Sequence, residues 1–217
     1  MGESRGADLQ VAFDRRIRLQ FQGAKVTSDA GLLAVRELDE ALGLTELAGL
    51  ALADTRTGRN IQHDQVALLR QSVYSRLAGY EDTNDAERLA VDPAMRAVVG
   101  RRSEKPAAST NTLSRFETQI LSEPDNLEKL VKLNDAWVAR VGEQTKSWRI
   151  ILDLDSSESP VHGQQEGSSY NGHFGCVCYH PLFCFNHYGD CEAAMLRPGH
   201  VHSAERWQQL LEPVVAR

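Results

Sequence analysis

Asp153 and Asp155 close an apolar run that begins at Trp148 and reads Trp148-Arg-Ile-Ile-Leu-Asp153-Leu-Asp155-Ser-Ser157. Strand side chains alternate between faces, so on a β-strand the two carboxylates share one side and Leu152 and Leu154 the other. Ile150, Ile151, Leu152 and Leu154 leave no polar face before the aspartates. That pattern predicts a central strand covered on both sides. Two acids side by side at its end repel each other and resist desolvation, costs that a bound divalent cation removes. The pair suits half of a metal site built from hard oxygen ligands.

Two other clusters carry chemistry-bearing residues. The four cysteines (Cys176, Cys178, Cys184, Cys191) crowd one segment with His173, His180 and His187 and form no C-x-x-C pair. On a strand Cys176, Cys178 and His180 share a face, which offers either zinc ligands or a buried strand using Cys as a small hydrophobe. Disulfides are not expected in a chain kept in a reducing compartment. Arg96, Arg101, Arg102, Lys105 and Arg115 form the most basic neighbourhood. They read as DNA-binding residues on a helix-turn-helix-like element, or as a solvated charged surface. Glu166 is either a further metal ligand or an exposed loop carboxylate.

The elements that position these groups follow from periodicity and caps. The 217 residues are 41% hydrophobic with a formal net charge of −6, which fits a soluble globular chain and limits nucleic-acid contact to a local patch. No apolar run is long enough to span a membrane, and Met1 to Gln10 lacks the features of a signal peptide, so a cytoplasmic location is expected. A short strand at Ile17–Phe21 precedes a helix capped by Ser28 or Thr27, bearing Leu32, Val35, Leu38 and Leu42 and ended by Gly43. A second helix carries Val66, Leu69, Val73 and Leu77, with His63 before it as a capping or surface residue. Asp92-Pro93 caps a short helix that stops at Gly100, Thr110 to Leu121 reads as helix, and Ser122-Glu-Pro-Asp opens a longer one.

Glu143 to Ser147 is a polar break, and strands follow it. Asn171-Gly172 marks a turn, Cys176 to Phe185 reads as one strand interrupted by Pro181, and Cys191 to Leu196 as its hairpin partner across Gly189. Ser203 is placed to cap a final helix with Ala204, Trp207, Leu211 and Val214. The predicted organisation is α+β: a helical amino-terminal domain (1–145), then an α/β domain (146–217) of strand, β-hairpin and helix. Nothing after Arg217 covers the second edge of the Trp148 strand, so the sheet reads as unfinished.

Asp155-Ser-Ser, Val161-His-Gly-Gln-Gln-Glu-Gly167, Asn171-Gly172, the strand Gly175 to Phe185 and Leu196-Arg-Pro-Gly-His-Val-His-Ser203 resemble DDE-type transposases of bacterial insertion sequences. Upstream, Ser28-Asp-Ala-Gly-Leu-Leu33, Gly79-Tyr-Glu-Asp82, Asn84-Asp-Ala-Glu-Arg88, Asp92-Pro-Ala-Met-Arg96 and Thr112-Leu-Ser-Arg-Phe-Glu117 resemble the same family's helical part. The resemblance implies a ribonuclease-H-like catalytic domain, incomplete here, that cleaves and joins DNA with two Asp and one Glu holding two Mg²⁺ ions. It places the first Asp on Asp155, with Asp153 as the second candidate for the catalytic and metal-binding role. The second Asp and the Glu would lie beyond Arg217, so a truncated transposase, inactive alone, is expected. The implied partners are the terminal inverted repeats of the element, and the chain itself or a full-length transposase. Two alternatives stand beside it. One is a non-catalytic DNA-binding fragment that regulates transposition. The other is a haloacid-dehalogenase-like phosphohydrolase, whose D-x-D-x-T signature Asp153-Leu-Asp155-Ser-Ser157 resembles with Ser157 in place of threonine.

Overall fold

The structure is a computed structural model that describes residues 9–19, 29–57, 61–100, 105–145 and 149–217. Thr27, Ser28, Arg101, Arg102 and Trp148 lie outside the described residues, as does part of the polar break expected before the strands. The chain divides into two compact units, Met1–Leu133 and Asn134–Arg217. Helices dominate the first and antiparallel strands the second, an α+β arrangement.

The first unit opens with a two-stranded antiparallel ribbon, β1 (Leu9–Gln10) with β2 (Arg18–Leu19). Helix α1 (Leu32–Leu42) ends where Gly43 takes a left-handed φ of 71° and its N–H returns to the Asp39 carbonyl. The same glycine starts α2 (Leu44–Ala51), a helix the sequence reading does not contain. α3 (Gln65–Leu77) is capped by Asp64, whose carboxylate accepts the Ala67 N–H at 2.7 Å. α4 (Ala86–Val91) leads to α5 (Pro93–Val99), where Asp92 accepts the Met95 N–H at 2.9 Å with proline at the first helical position, as its spacing predicts. α6 (Thr110–Arg115) runs on as a π-helical turn (Phe116–Leu121), and α7 (Pro124–Thr145) follows.

Two apolar clusters flank α3. Leu68 and Leu69 pack with Ala48, Leu113, Phe116 and Ile120, whereas Tyr74 packs with Leu32, Leu89, Met95 and Val98. The buried face of α1 keeps Leu32 and the half-buried Val35 of the predicted stripe and departs from it elsewhere. Leu32, Leu33, Arg36 and Asp39 are inside, and Leu38 is 55% exposed. The helix is turned so that Asp39 reaches Thr45 and Tyr74, and a satisfied polar network replaces part of the apolar stripe.

In the second unit β3 (Leu152–Ser156) pairs antiparallel with β7 (Leu182–Asn186), and β7 with β8 (Cys191–Met195). A separate sheet has the order β4 (Ser159–Pro160), β6 (Cys176–Tyr179), β5 (Ser169–Asn171). The expected single strand Cys176 to Phe185 is therefore two strands in two sheets. Pro181, which has no N–H for a ladder, stands at the crossing. The β7–β8 hairpin forms as predicted, its turn held by Asn186 Oδ1 accepting the Tyr188 and Asp190 N–H groups, with Gly189 at φ 90°.

β3 also departs from expectation. Among the described residues its only strand partner is β7, so it is an edge strand rather than a central one, and Ile150 and Ile151 before it are exposed. Only its Leu152 and Leu154 face is packed, against Leu182, Cys184 and Leu210 of α8 (Trp207–Val215). α8 begins four residues after the predicted cap Ser203. Arg197 Nη1 draws in the carbonyls of His202, Ser203 and Glu205, which turns them away from a helical ladder. Arg206 then takes a left-handed φ of 61° ahead of the first helical turn.

Candidate functional site

On β3 the period of two puts Asp153 and Asp155 on one face, and both are exposed. Directly opposite residues of an antiparallel pair share a face. The register sets Asp153 across from Phe185 and Asp155 across from Phe183. The two phenyl rings lie 5.9 Å apart, centroid to centroid, and are half-buried. The result is a sheet face with two acids along an edge and two aromatic rings beside them. Neither carboxylate has a hydrogen bond or an ion pair among the described residues.

The strand thus brings the two acids together as its alternation predicts, and exposes them where burial was expected. With water on that face, the desolvation cost argued from the sequence is small, and the like-charge repulsion remains. Ser156 and Ser157 follow, and the Ser157 N–H donates to the Pro181 carbonyl at 3.2 Å. Among the described residues no group of three or more His, Cys, Asp and Glu is arranged to hold a metal ion. Glu166 is exposed, and its carbonyl, not its carboxylate, accepts the Tyr179 hydroxyl.

In the Cys/His cluster Cys178, His180 and Cys184 are buried, Cys176 and Cys191 are half-buried, and His173 and His187 are exposed. Cys178 is fully buried, and burial, then Cys176, pushes its thiol up. His180 is 3% exposed with Nδ1 at 3.0 Å from the Val201 carbonyl.

Of the predicted cations, Arg96 on α5 donates from Nε to the Lys105 carbonyl at 3.1 Å, which ties the basic loop to that helix. Lys105 and Arg115 are exposed. Arg115 lines a cleft of ≈ 540 Å³ together with Arg56, Gln62, His63, Thr112 and Gln119. Arg56 and His63 were not legible as members of a basic site, because they join Arg115 only through the packing of α3 on α6. Asp54-Thr-Arg56 was the one local signal: Asp54 takes the Arg56 guanidinium in a bidentate pair at 2.7 and 2.6 Å. Among the described residues no helix is long and apolar enough to cross a membrane.

A family model described as the transposase DDE domain, group 1, matches residues 9–217. No curated protein and no solved structure matches the chain at a significant level.

Proposed function

Because the chain belongs to the transposases with a group 1 DDE domain, we propose that it acts in the transposition of an insertion sequence. Residues 1–145 form the helical part that binds DNA and assembles. Residues 146–217 contribute the opening strand, hairpin and helix of a ribonuclease-H-like catalytic domain. The family match across both units is the observation that carries this reading.

In this reading Asp155 is the first of the family's three acids and Asp153 stands beside it. The donor set fits a hard divalent cation such as Mg²⁺, since two carboxylates of one strand face, without a partner among the described residues, share an exposed edge. An ion held there would act as a Lewis acid on a phosphodiester and lower the pKa of an attacking hydroxyl. Asp153 and Asp155 would hold such an ion, and Phe183 and Phe185, across the strand from them, would limit water on that face.

The family chemistry uses three acids, of which Asp155 is one in this reading, and the strand edge by itself is proposed to support DNA binding with little cleavage or strand transfer. A second reading is a non-catalytic fragment that regulates transposition by occupying the element ends, which the exposed Lys105 and Arg115 of the basic stretch support. The phosphohydrolase alternative has less behind it: its signature belongs at the start of a parallel sheet, and β3 pairs antiparallel with β7. The partners are the terminal inverted repeats and a further copy of the chain or of a full-length transposase, and the location is cytoplasmic.

The test is incubation of the purified chain with a duplex carrying the terminal repeat of its own element, with and without Mg²⁺. Salt-dependent binding without nicking is the expected result. Mg²⁺-dependent nicking that disappears in Asp155→Asn would overturn the inactivity and keep the family chemistry. A wild-type chain that ignores DNA at low salt would remove the whole reading.

A further inference from the structure

The cleft in the helical unit is built for an anion. Its lining combines apolar Leu68, Phe116 and Ile120 with two guanidinium groups and four neutral polar side chains, Thr57, Gln62, Thr112 and Gln119. The two arginines are in different states. Arg56 is committed: Asp54 holds it in a bidentate pair and its Nη1 donates to the His63 carbonyl at 2.9 Å. Arg115 is exposed on the last turn of α6 and has no hydrogen bond or ion pair among the described residues.

Of the nearby carboxylates, Asp54 is paired with Arg56, while Asp64 accepts the Ala67 N–H at the start of α3 and keeps its charge. The half-buried His63 ring is held below the usual imidazole range, first by burial and then by Arg56, with Lys105 adding to the effect and Asp64 opposing it. Lys105 is therefore within electrostatic reach of the cleft although it does not line it.

We propose that this cleft seats a backbone phosphate of DNA, gripped by Arg115 with Lys105 behind it, and that Arg56 positions His63 at its wall. The proposal rests on the reading of the chain as a DNA-binding transposase and names where in the helical unit the strand sits. A free phosphate offers related chemistry, and charge separates the two. Arg115 is the one cation lining the cleft that has no ion pair among the described residues, and Lys105 acts only from outside the lining; with neutral donors from Thr112 and Gln119 this suits the single charge of a phosphodiester better than a phosphate dianion. An anion in the cleft also offsets the cations that hold His63 low, so the ring gains proton affinity when the site fills.

The test uses the full chain and two readouts. Fluorescence anisotropy with a labelled terminal-repeat duplex over a salt series compares the wild type with Arg115→Ala, an exposed substitution expected to leave thermal unfolding unchanged. The variant should lose about tenfold in affinity at low salt and about one unit of the salt slope. Histidine NMR titrations follow the His63 midpoint, which should rise with duplex and stay put with millimolar inorganic phosphate. Wild-type binding that Arg115→Ala leaves intact in both affinity and slope would overturn the cleft and keep the transposase reading. A His63 shift with inorganic phosphate but none with duplex would make it a free-phosphate site instead. A wild-type chain that binds no duplex at all removes both.

Discussion

The Tyr74 hydroxyl donates to Asp39 Oδ2 at 2.6 Å within the helical unit, and both residues are buried. Thr45 adds its N–H at 2.9 Å and its hydroxyl at 2.5 Å, and Arg70 Nε stands 3.5 Å from the same carboxylate. One acid thus joins α1, the start of α2 and α3. Burial alone would raise the Asp39 pKa, but the Thr45 and Tyr74 hydrogen bonds and the Arg70 charge outweigh it, and the net shift is downward. Burial pushes the Tyr74 phenol up, and the bond to Asp39 adds to it.

These shifts set the pH response of the helical unit. Asp39, depressed on folding, contributes stability above its unfolded value of 3.8 and loses it as pH falls through the lower folded value. Tyr74, raised on folding, contributes below its unfolded value of 10.0 and loses that contribution as pH climbs through the higher folded one. Tyr74→Phe should cost about 1–2 kcal/mol at neutral pH, by leaving a buried carboxylate oxygen short of a donor, and should flatten the alkaline limb. Asp39→Ala should cost about 3 kcal/mol or more, since Arg70 loses its counter-charge and Thr45 and Tyr74 lose a buried acceptor, while Arg36 keeps Glu40. Urea unfolding across pH checks both. A Tyr74→Phe curve superimposable on the wild type at every pH would contradict the network's role.

The same network marks where sequence reasoning stops. The Asp92 cap and the turn at Gly189 were legible, because residue and target are close along the chain, whereas the cap of α3 is Asp64 and not the His63 before it. The burial of Arg36, Asp39 and Gln71 was not, since an amphipathic pattern assigns charged and amide residues outward and their partners come from other helices. The site follows that division. Alternation alone predicts that Asp153 and Asp155 share a face, whereas their exposure depends on which strands flank β3. Arg197 shows the converse. A buried arginine that collects the carbonyls of His180, His202, Ser203 and Glu205 delays α8, and nothing near Ser203 announces it.

Gln71 fastens the loop that carries Lys105. Its Nε2 donates to the Ala108 carbonyl at 2.7 Å and its Oε1 accepts the Ala108 N–H at 2.7 Å, so one amide imitates a strand partner in a buried site. Gln71→Leu keeps most of the volume but leaves two backbone groups unpaired, a loss of about 2–4 kcal/mol. Amide exchange at Ala108 should quicken far more than at Met95, whose N–H is held by Asp92. Equal protection of Ala108 in variant and wild type would show that the loop is held elsewhere.

Gly199 sits where no side chain fits. A Cβ there would lie 2.3 Å from the Ser169 carbonyl oxygen, 2.5 Å from that of Cys178 and 2.9 Å from the Cys178 sulfur. The nearest obstacles are backbone and cannot rotate away, and the Asn171 side chain donates to the Gly199 carbonyl in the same place. Gly199→Ala should therefore destabilise the β4-β6-β5 sheet by about 2 kcal/mol or more, with faster amide exchange at Tyr170 and Val177 and a smaller change in β7. Unfolding midpoints of the two proteins that coincide would rule out the close approach.

Asp153 and Asp155 make opposite predictions with and without a divalent cation. In chelator-treated buffer the two like charges on one strand edge oppose folding, so Asp153→Asn or Asp155→Asn should raise the unfolding midpoint. Adding Mg²⁺ should lift the wild-type midpoint by mass action on the folded state and lift the variants less, so the order closes or inverts. Matched ionic strength with a monovalent salt separates binding from screening, which would raise all three alike. Phe183 and Phe185, opposite the acids, provide a second readout: their ring resonances should shift on titration with Mg²⁺ in the wild type and respond less in Asp155→Asn. A wild-type midpoint and phenyl spectrum indifferent to Mg²⁺ would show that this strand edge does not hold a cation without carboxylates from elsewhere.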